Sequence, residues 1–458
     1  MIDDIRRVDA AWLSRWDRPV PRYTSYPTAP QFSSLNESVV LSKFASFDLT
    51  DKPLSLYFHI PFCKRMCLFC GCSVVLNRNP EKQNRYLSYL LQEISLVASR
   101  FSKKRKVTQL HLGGGTPTSL TIEEFSLLMD SIHKHFEVSL DAEISIEVDP
   151  RTVFADQGEK LTHLRRLGFN RVSFGVQDLD PKVQAAIKRD QTEEMTIQTF
   201  YRAKELGFHG INIDLIYGLP FQTKKSFAKT ALTLAELQPD RIAFYSYAKV
   251  PWLKPHQKAI PESTLPSTEE KFGIYVEARE LFMNHGYIPI GMDHFSLVKD
   301  PLAQAYKEKK LTRNFQGYSI QLAEDMLGFG ITSIGFFENS FFQNVKEIHT
   351  YEAALEKSQL PILRGFVLEP EDICRRWVIQ SLMCHFEVDK KAFSHQFGLA
   401  FDLHFYKERE NLVFLKEEGL LDETQERVLP TPLGRLFIRL IAASFDAYLE
   451  KGSYSRAI

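Results

Sequence analysis

Four of the six cysteines in this 458-residue chain fall within ten positions: Cys63, Cys67, Cys70 and Cys72. The remaining two, Cys374 and Cys384, lie far along the chain. A disulfide framework spreads its cysteines and needs an oxidising compartment, so this clustering points to a metal or redox centre. The first three read C-x3-C-x2-C directly after an apolar run. Three thiolates on one short loop can hold three irons of a cubane iron–sulfur cluster and leave the fourth iron open to chelate a small molecule. A structural zinc site is the competing chemistry. Zinc wants a fourth ligand, which Cys72 or His59 can supply. Spacing alone leaves both open.

Elements that would position such a loop are legible on either side of it. Short apolar or β-branched runs recur at 54–60, 109–115, 143–149, 171–177, 211–218, 241–247 and 287–295. Helical patterns fill the gaps. Asn79-Pro80 caps a stripe of Leu87, Leu90, Leu91, Ile94, Val97 and Phe101, and Thr121 with Glu124 forms a capping box ahead of Phe125, Leu128, Met129, Ile132 and Phe136. Another helix begins near 223. Strand starts 28 to 54 residues apart, with helices between, predict an α/β fold: parallel strands with crossover helices, as a partial or complete barrel or a doubly wound sheet. Strand C-terminal ends then share one rim, where Glu147, Asp149, Gln177, Asp214 and Asp293-His294 fall.

The flanks read differently. Residues 1–52 are loop-rich, with four prolines between 19 and 30, and are expected to form an N-terminal arm or lid. The barrel core is expected over 53–297, a connecting segment over 298–365, and a helical, winged-helix-like C-terminal domain over 366–458. Lys plus Arg and Asp plus Glu both number 57, so there is no basic excess for nucleic acid. No apolar run approaches the roughly 20 residues that span a bilayer. Acidic residues near the N-terminus stand where a signal peptide needs an apolar core, so a cytoplasmic protein is expected. No coiled-coil pattern is present, which fits a monomer.

The cysteine motif, preceded by Tyr57-Phe-His-Ile-Pro-Phe62 and followed one strand later by Gly113-Gly114-Gly115, resembles the radical S-adenosylmethionine superfamily. Within it the chain resembles the oxygen-independent coproporphyrinogen III oxidases (coproporphyrinogen dehydrogenases). Four stretches carry this: 21–29 (PRYTSYPTA), 69–72 (FCGC), 113–118 (GGGTPT) and 314–318 (NFQGY). Haem-binding chaperones of the same superfamily lack the arm and the 314–318 segment and usually have an aromatic where Cys72 stands. They remain the alternative, with a radical enzyme on another substrate behind them.

The resemblance implies an oxidoreductase of porphyrin (haem) biosynthesis. Cys63, Cys67 and Cys70 would hold a 4Fe–4S cluster, with Cys72 not a ligand. Two S-adenosylmethionine molecules are implied. Tyr57, Gly114, Glu147 and Ile334 would contact the first, and Phe69, Gly115, Thr116, Gln177, Arg189, Asp214 and Ala248 the second. Tyr57, Glu147, Phe315 and Gln316 are the residues implied nearest the reaction. In that chemistry a 5′-deoxyadenosyl radical takes a β-hydrogen from a propionate, and loss of carbon dioxide and an electron leaves a vinyl group. Two rounds convert coproporphyrinogen III to protoporphyrinogen IX. A flavodoxin-like or ferredoxin-like reductant would supply electrons. Arg22 and Arg313 are the cations offered to the substrate's carboxylates, and Arg189 is expected on a helix.

Overall fold

The computed structural model describes residues 8–320, 323–449 and 454–456. The chain forms two compact units. One comprises Phe32–Asp214 and Leu322–Val367; the other Met1–Gln31, Leu215–Gln321 and Leu368–Ile458. Of the N-terminal stretch 1–12 in which the acidic residues stand, the first seven lie outside the described residues.

The first unit is built on strands β1 (Leu54–Ile60), β2 (Lys106–Gly114), β3 (Glu137–Val148), β4 (Arg171–Gln177), β5 (Met326–Phe329), β6 (Ile334–Phe337), β7 (Ser340–Asn344) and β8 (Ile362–Val367). Their order is β8-β7-β6-β5-β1-β2-β3-β4. The five from β5 to β4 run parallel, while β6, β7 and β8 attach antiparallel. Helix α1 (Pro80–Ala98) follows β1 and helix α2 (Ile122–His135) follows β2, capped by Asn79 and by the Thr121–Glu124 box as their sequences require.

Fully buried parallel strands usually read as continuous apolar runs. Here they alternate. Leu56, Leu110, Ile144 and Val172 are buried on one face. The other phase is polar and follows the register Tyr57–His111–Ser145–Arg171 from strand to strand. A row below it is hydrogen-bonded sideways: Ser55 donates to Gln109 at 3.1 Å and Gln109 to Glu143 at 3.0 Å. A polar face on a parallel sheet is a face kept for chemistry.

Residues 37–48 were expected to be arm without regular structure. They form a helix, Glu37–Asp48, capped by Asn36, and bury Val40, Phe44 and Phe47. Those three stand at helical spacing, and Phe44 packs on Phe337 at 4.8 Å between ring centroids.

In the second unit, His294–Leu297 pairs antiparallel with both Arg241–Ser246 and Tyr287–Ile290. The stretch 287–295, expected as one strand, is thus a hairpin. Gly291, at φ +58°, makes the turn, and a β-carbon there would sit 1.9 Å from the Tyr318 ring. Residues 314–317 form the tip of a second hairpin, between Leu311–Asn314 and Gly317–Ile320. Helices Pro370–His385, Lys390–Phe397 and Arg409–Glu417 join a three-stranded sheet of Val388–Asp389, Arg427–Pro430 and Leu421–Glu423. The chain's start packs into this core: Trp16, Tyr23 and Tyr26 are buried, and Trp12 meets Phe437 edge-on at 4.7 Å.

Candidate active site at the cysteine loop

The cysteine loop leaves the C-terminal end of β1 and is closed at its base. Val75 N–H donates to Pro61 O at 2.8 Å and Asn77 N–H to Cys63 O at 3.0 Å. Its middle is pinned by Leu68 N–H on Ile187 O, while Gly71 and Cys72 at the tip are exposed. Two further backbone bonds weld it to the glycine turn ending β2: Gly115 N–H to Ile60 O at 2.9 Å and Thr116 N–H to Phe62 O at 3.0 Å. This weld explains the glycines. Gly114 has φ +120°, and a β-carbon there would lie 2.8 Å from the His59 ring; one at Gly115 would lie 2.5 Å from Pro61 O.

Among the described residues no disulfide forms, and Cys63, Cys67 and Cys70 are thiols. Each sulfur has a different neighbour. Cys63 Sγ lies 3.2 Å from Thr116 Oγ1, Cys70 Sγ accepts from Cys72 N–H at 3.4 Å, and buried Cys67 Sγ accepts from Arg189 Nη1 at 3.7 Å and Arg151 Nη2 at 3.8 Å. Burial, with Cys70 and Cys67 nearby and despite the Thr116 bond, pushes the Cys63 thiol up to about 11. Among the described residues no three His, Cys, Asp or Glu side chains close on one point as a single ion's ligands would. A cubane asks for less, since each thiolate takes its own iron. Three sulfurs on one braced loop, with cationic donors beside them, fit that group.

Around the thiols, Glu147 at the end of β3 accepts from Gly114 N–H at 3.0 Å, and its other oxygen lies 3.6 Å from His111 Nε2. Tyr57 Oη is 3.1 Å from His59 Nδ1, and His59 Nε2 donates to Ser73 O at 2.9 Å. Burial lowers the His59 imidazolium, so the ring is neutral, with its proton on Nε2 and Tyr57 donating to Nδ1. Burial first, then the Glu147 charge, raises Tyr57 well above its ordinary value.

The first unit holds Tyr57, Phe69, Gly114, Gly115, Thr116, Glu147, Gln177, Arg189, Asp214 and Ile334. Gln177 ends β4 at φ +71°, a strained conformation for a residue with a side chain. Asp214 accepts from Ser173 at 3.0 Å and Asn212 at 2.8 Å. Ile334 opens β6. Ala248, Phe315 and Gln316 belong to the second unit, the last two at the hairpin tip, where Gln316 N–H donates to Asn314 Oδ1 at 2.9 Å.

Two expectations change. Arg189 is not on a helix: it follows Pro181–Ala186 in coil, buried, donating to Gly175 O and to Gln191 Oε1. Arg313 is buried and its guanidinium sits 3.4 Å from Asp293 Oδ2, so its charge is committed inside the protein. Sequence reasoning passed over His111 and Arg151. The polar phase of β2 marks the former, and the Asp149-Pro-Arg151 turn at the rim marks the latter.

Residues 57–234 match the family model of the Radical SAM superfamily and residues 368–437 that of the HemN C-terminal domain. The parallel sheet and the welded cysteine and glycine turns therefore define a radical SAM enzyme, with the expected α/β fold and helical C-terminal part. The oxygen-independent coproporphyrinogen III oxidase of Synechocystis sp. is 42% identical, over 98% of this chain and 98% of its own. That of Escherichia coli K12 is 42% identical over 97% and 96%. A solved structure of coproporphyrinogen III oxidase (HemN) from Escherichia coli superposes with a TM-score of 0.89, covering 94% of this chain and all of that one. The chain belongs to the oxygen-independent coproporphyrinogen III oxidase family. As a radical SAM enzyme it uses a 4Fe–4S cluster and S-adenosylmethionine. Among the described residues no helix is long and apolar enough to cross a membrane.

Proposed function

We propose that the cysteine loop is the active site for the oxygen-independent oxidative decarboxylation of two propionates of coproporphyrinogen III, giving protoporphyrinogen IX. The observation that carries this is the loop itself: three thiols braced on a glycine turn, in a chain alike over its whole length to proteins named for that activity. When bound, cluster and S-adenosylmethionine supply one-electron cleavage of the sulfonium and removal of a propionate β-hydrogen.

The chain's own residues do the rest. Cys63, Cys67 and Cys70 hold the cluster. Glu147 fixes the glycine turn through Gly114 N–H and, 46% exposed, keeps an oxygen for the ribose or ammonium of a first S-adenosylmethionine beside Tyr57 and Ile334. Phe69, Gly115, Thr116, Gln177, Arg189, Asp214 and Ala248 are assigned to a second. Phe315 and Gln316 at their hairpin tip meet the substrate. Residues 1–52, 53–297, 298–365 and 366–458 serve as arm, barrel core, connecting segment and C-terminal domain. A reduced flavodoxin-like or ferredoxin-like donor delivers electrons to a cytoplasmic monomer.

Anaerobically reconstituted protein, given reductant, S-adenosylmethionine and coproporphyrinogen III, is expected to release carbon dioxide and form protoporphyrinogen IX. Stoichiometric haem binding with no methionine or 5′-deoxyadenosine released would overturn this in favour of a chaperone. Cys63→Ser should abolish the brown absorbance of the cluster and all product; a retained chromophore contradicts the ligand assignment.

A further inference from the structure

Cys67 differs from its two partners in what touches its sulfur. Cys63 has a hydroxyl, Cys70 a backbone amide and the neighbouring Cys72 thiol, and Cys67 two guanidinium groups. Arg151 comes from the first turn of Pro150–Phe154, just past β3, and Arg189 from the coil after Ile187. Both are held by one carboxylate. Arg151 donates to Asp149 through Nη2 at 2.6 Å and Nε at 2.9 Å, and Arg189 Nη2 lies 3.7 Å from Asp149 Oδ1. Gly175 O and Gln191 Oε1 fix the Arg189 plane from behind, and Gln191 is itself anchored to Thr196 at 2.9 Å. Two cations and one anion leave a net positive charge against a single sulfur.

A full hydrogen-bonding ring of this kind is more than an ion pair requires. Asp149 could neutralise Arg151 alone; the second arginine makes the group cationic. Hydrogen bonds and positive charge on cluster sulfurs favour the reduced, more negative state. We infer that Arg151, with Arg189 and under the restraint of Asp149, sets the reduction potential of the bound cluster through Cys67. It does so as a positioning residue, and this rests on the cluster assignment above. The event is one-electron: the cluster core gains an electron from an external reductant, and no bond is made or broken. Arg151 is the tunable member. It lines a cavity of about 320 Å³ with Cys63, Lys64 and Lys160, and its side chain keeps 21% exposure.

The two sides of this arrangement make predictions of opposite sign. In anaerobically reconstituted protein without S-adenosylmethionine, an EPR-monitored titration with dithionite reads the midpoint directly. Arg151→Gln removes a cation and should move the midpoint to more negative values. Asp149→Asn removes the anion and should move it to more positive values. Arg151→Lys, keeping the charge but losing the planar fork, should fall between wild type and Arg151→Gln. A midpoint that does not move in either direction, or moves the same way in Arg151→Gln and Asp149→Asn, overturns the inference. So does failure of all three variants to retain iron and acid-labile sulfide, which would make the group structural. Wild-type protein that takes up no iron and sulfide would instead sink the cluster assignment, a separate result.

Discussion

Each unit sets an aspartate among cations, and the two do different things with them. In the second unit Asp293 takes His294 Nδ1 at 2.6 Å and Arg313 Nη2 at 3.4 Å, and the guanidinium lies 4.4 Å over the Tyr318 ring. Carboxylate edge and aromatic face consume the arginine, and both side chains are about 5% exposed or less. Burial would raise the Asp293 carboxyl, but Arg313 and His294 override it and hold it well below the usual carboxylate range. In the first unit Asp149 holds two arginines yet leaves an N–H of each aimed at a sulfur. The same residue types make a brace where the donors end on a carboxylate and a carbonyl that stay fixed. They make a control on chemistry where one donor ends on an atom whose charge changes.

Breaking the brace should have the largest effect. Asp293→Asn leaves Arg313 charged and buried, a situation that costs about 3–5 kcal/mol. The urea midpoint of the apoprotein should fall accordingly, and Asp293→Leu with Arg313→Met should recover most of the loss. The exchange Asp149→Asn should cost less, because Arg151 reaches water. Equal losses at the two aspartates would erase the distinction drawn here.

Glu93 on α1 sharpens the comparison, as an acid buried with no cation beside it among the described residues. It accepts from Gly330 N–H at 2.7 Å, Asn344 Nδ2 at 2.6 Å and Tyr351 Oη at 2.5 Å. Burial outweighs these bonds and pushes its carboxyl up to about 7. The folded state then binds a proton that the unfolded chain gives up near its ordinary value. Stability from this group is present below that ordinary value, falls as pH rises toward 7, and is flat above, by roughly 3–4 kcal/mol in all at about 1.4 kcal/mol per unit. Asp293, with a depressed carboxyl, acts in the opposite direction and loses stability on acidification. Urea unfolding at pH 5 and pH 7.5 should show the Glu93 slope in the wild type and its loss in Glu93→Gln. An unchanged slope in the variant would assign it elsewhere.

Local features of this site were legible in the sequence because they are local. The cysteine spacing, the glycine turn one strand later and the helix caps at Asn79 and Thr121 need only neighbours within a few residues. The strands were read as apolar runs; the polar phase that alternates with their apolar one accounts for Tyr57, His111 and Glu147. What escaped had two physical causes. One is punctuation: Gly291 turns one apparent strand into two, and the Asn36 cap opens a helix among prolines and serines. The other is tertiary convergence. Arg151 and Arg189 meet at Cys67 from 84 and 122 residues away, and no pattern in one chain announces that pairing. Arg313 reads as a free cation beside Asn314 until the hairpin brings Asp293 against it.

The smallest effect should come from the same cysteine loop. Arg65 Nη1 and Asp190 Oδ2 are 2.8 Å apart, within 0.2 Å of the Arg151–Asp149 contact at 2.6 Å, but their side chains are 64% and 74% exposed. Water and salt screen such a pair, and holding two long side chains together costs entropy, so it contributes less than about 1 kcal/mol. Arg65→Ala and Asp190→Ala, alone or together, should therefore leave the urea midpoint nearly unchanged, with a coupling energy near zero in the double-mutant cycle. Arg65 also carries a charge two residues from Cys67, so the cycle separates charge from geometry. If proximity along the chain were enough, Arg65→Ala would shift the cluster midpoint as far as Arg151→Gln. If burial and a donor on sulfur are what matter, its shift should be the smaller by a clear margin, and should shrink further as salt is added.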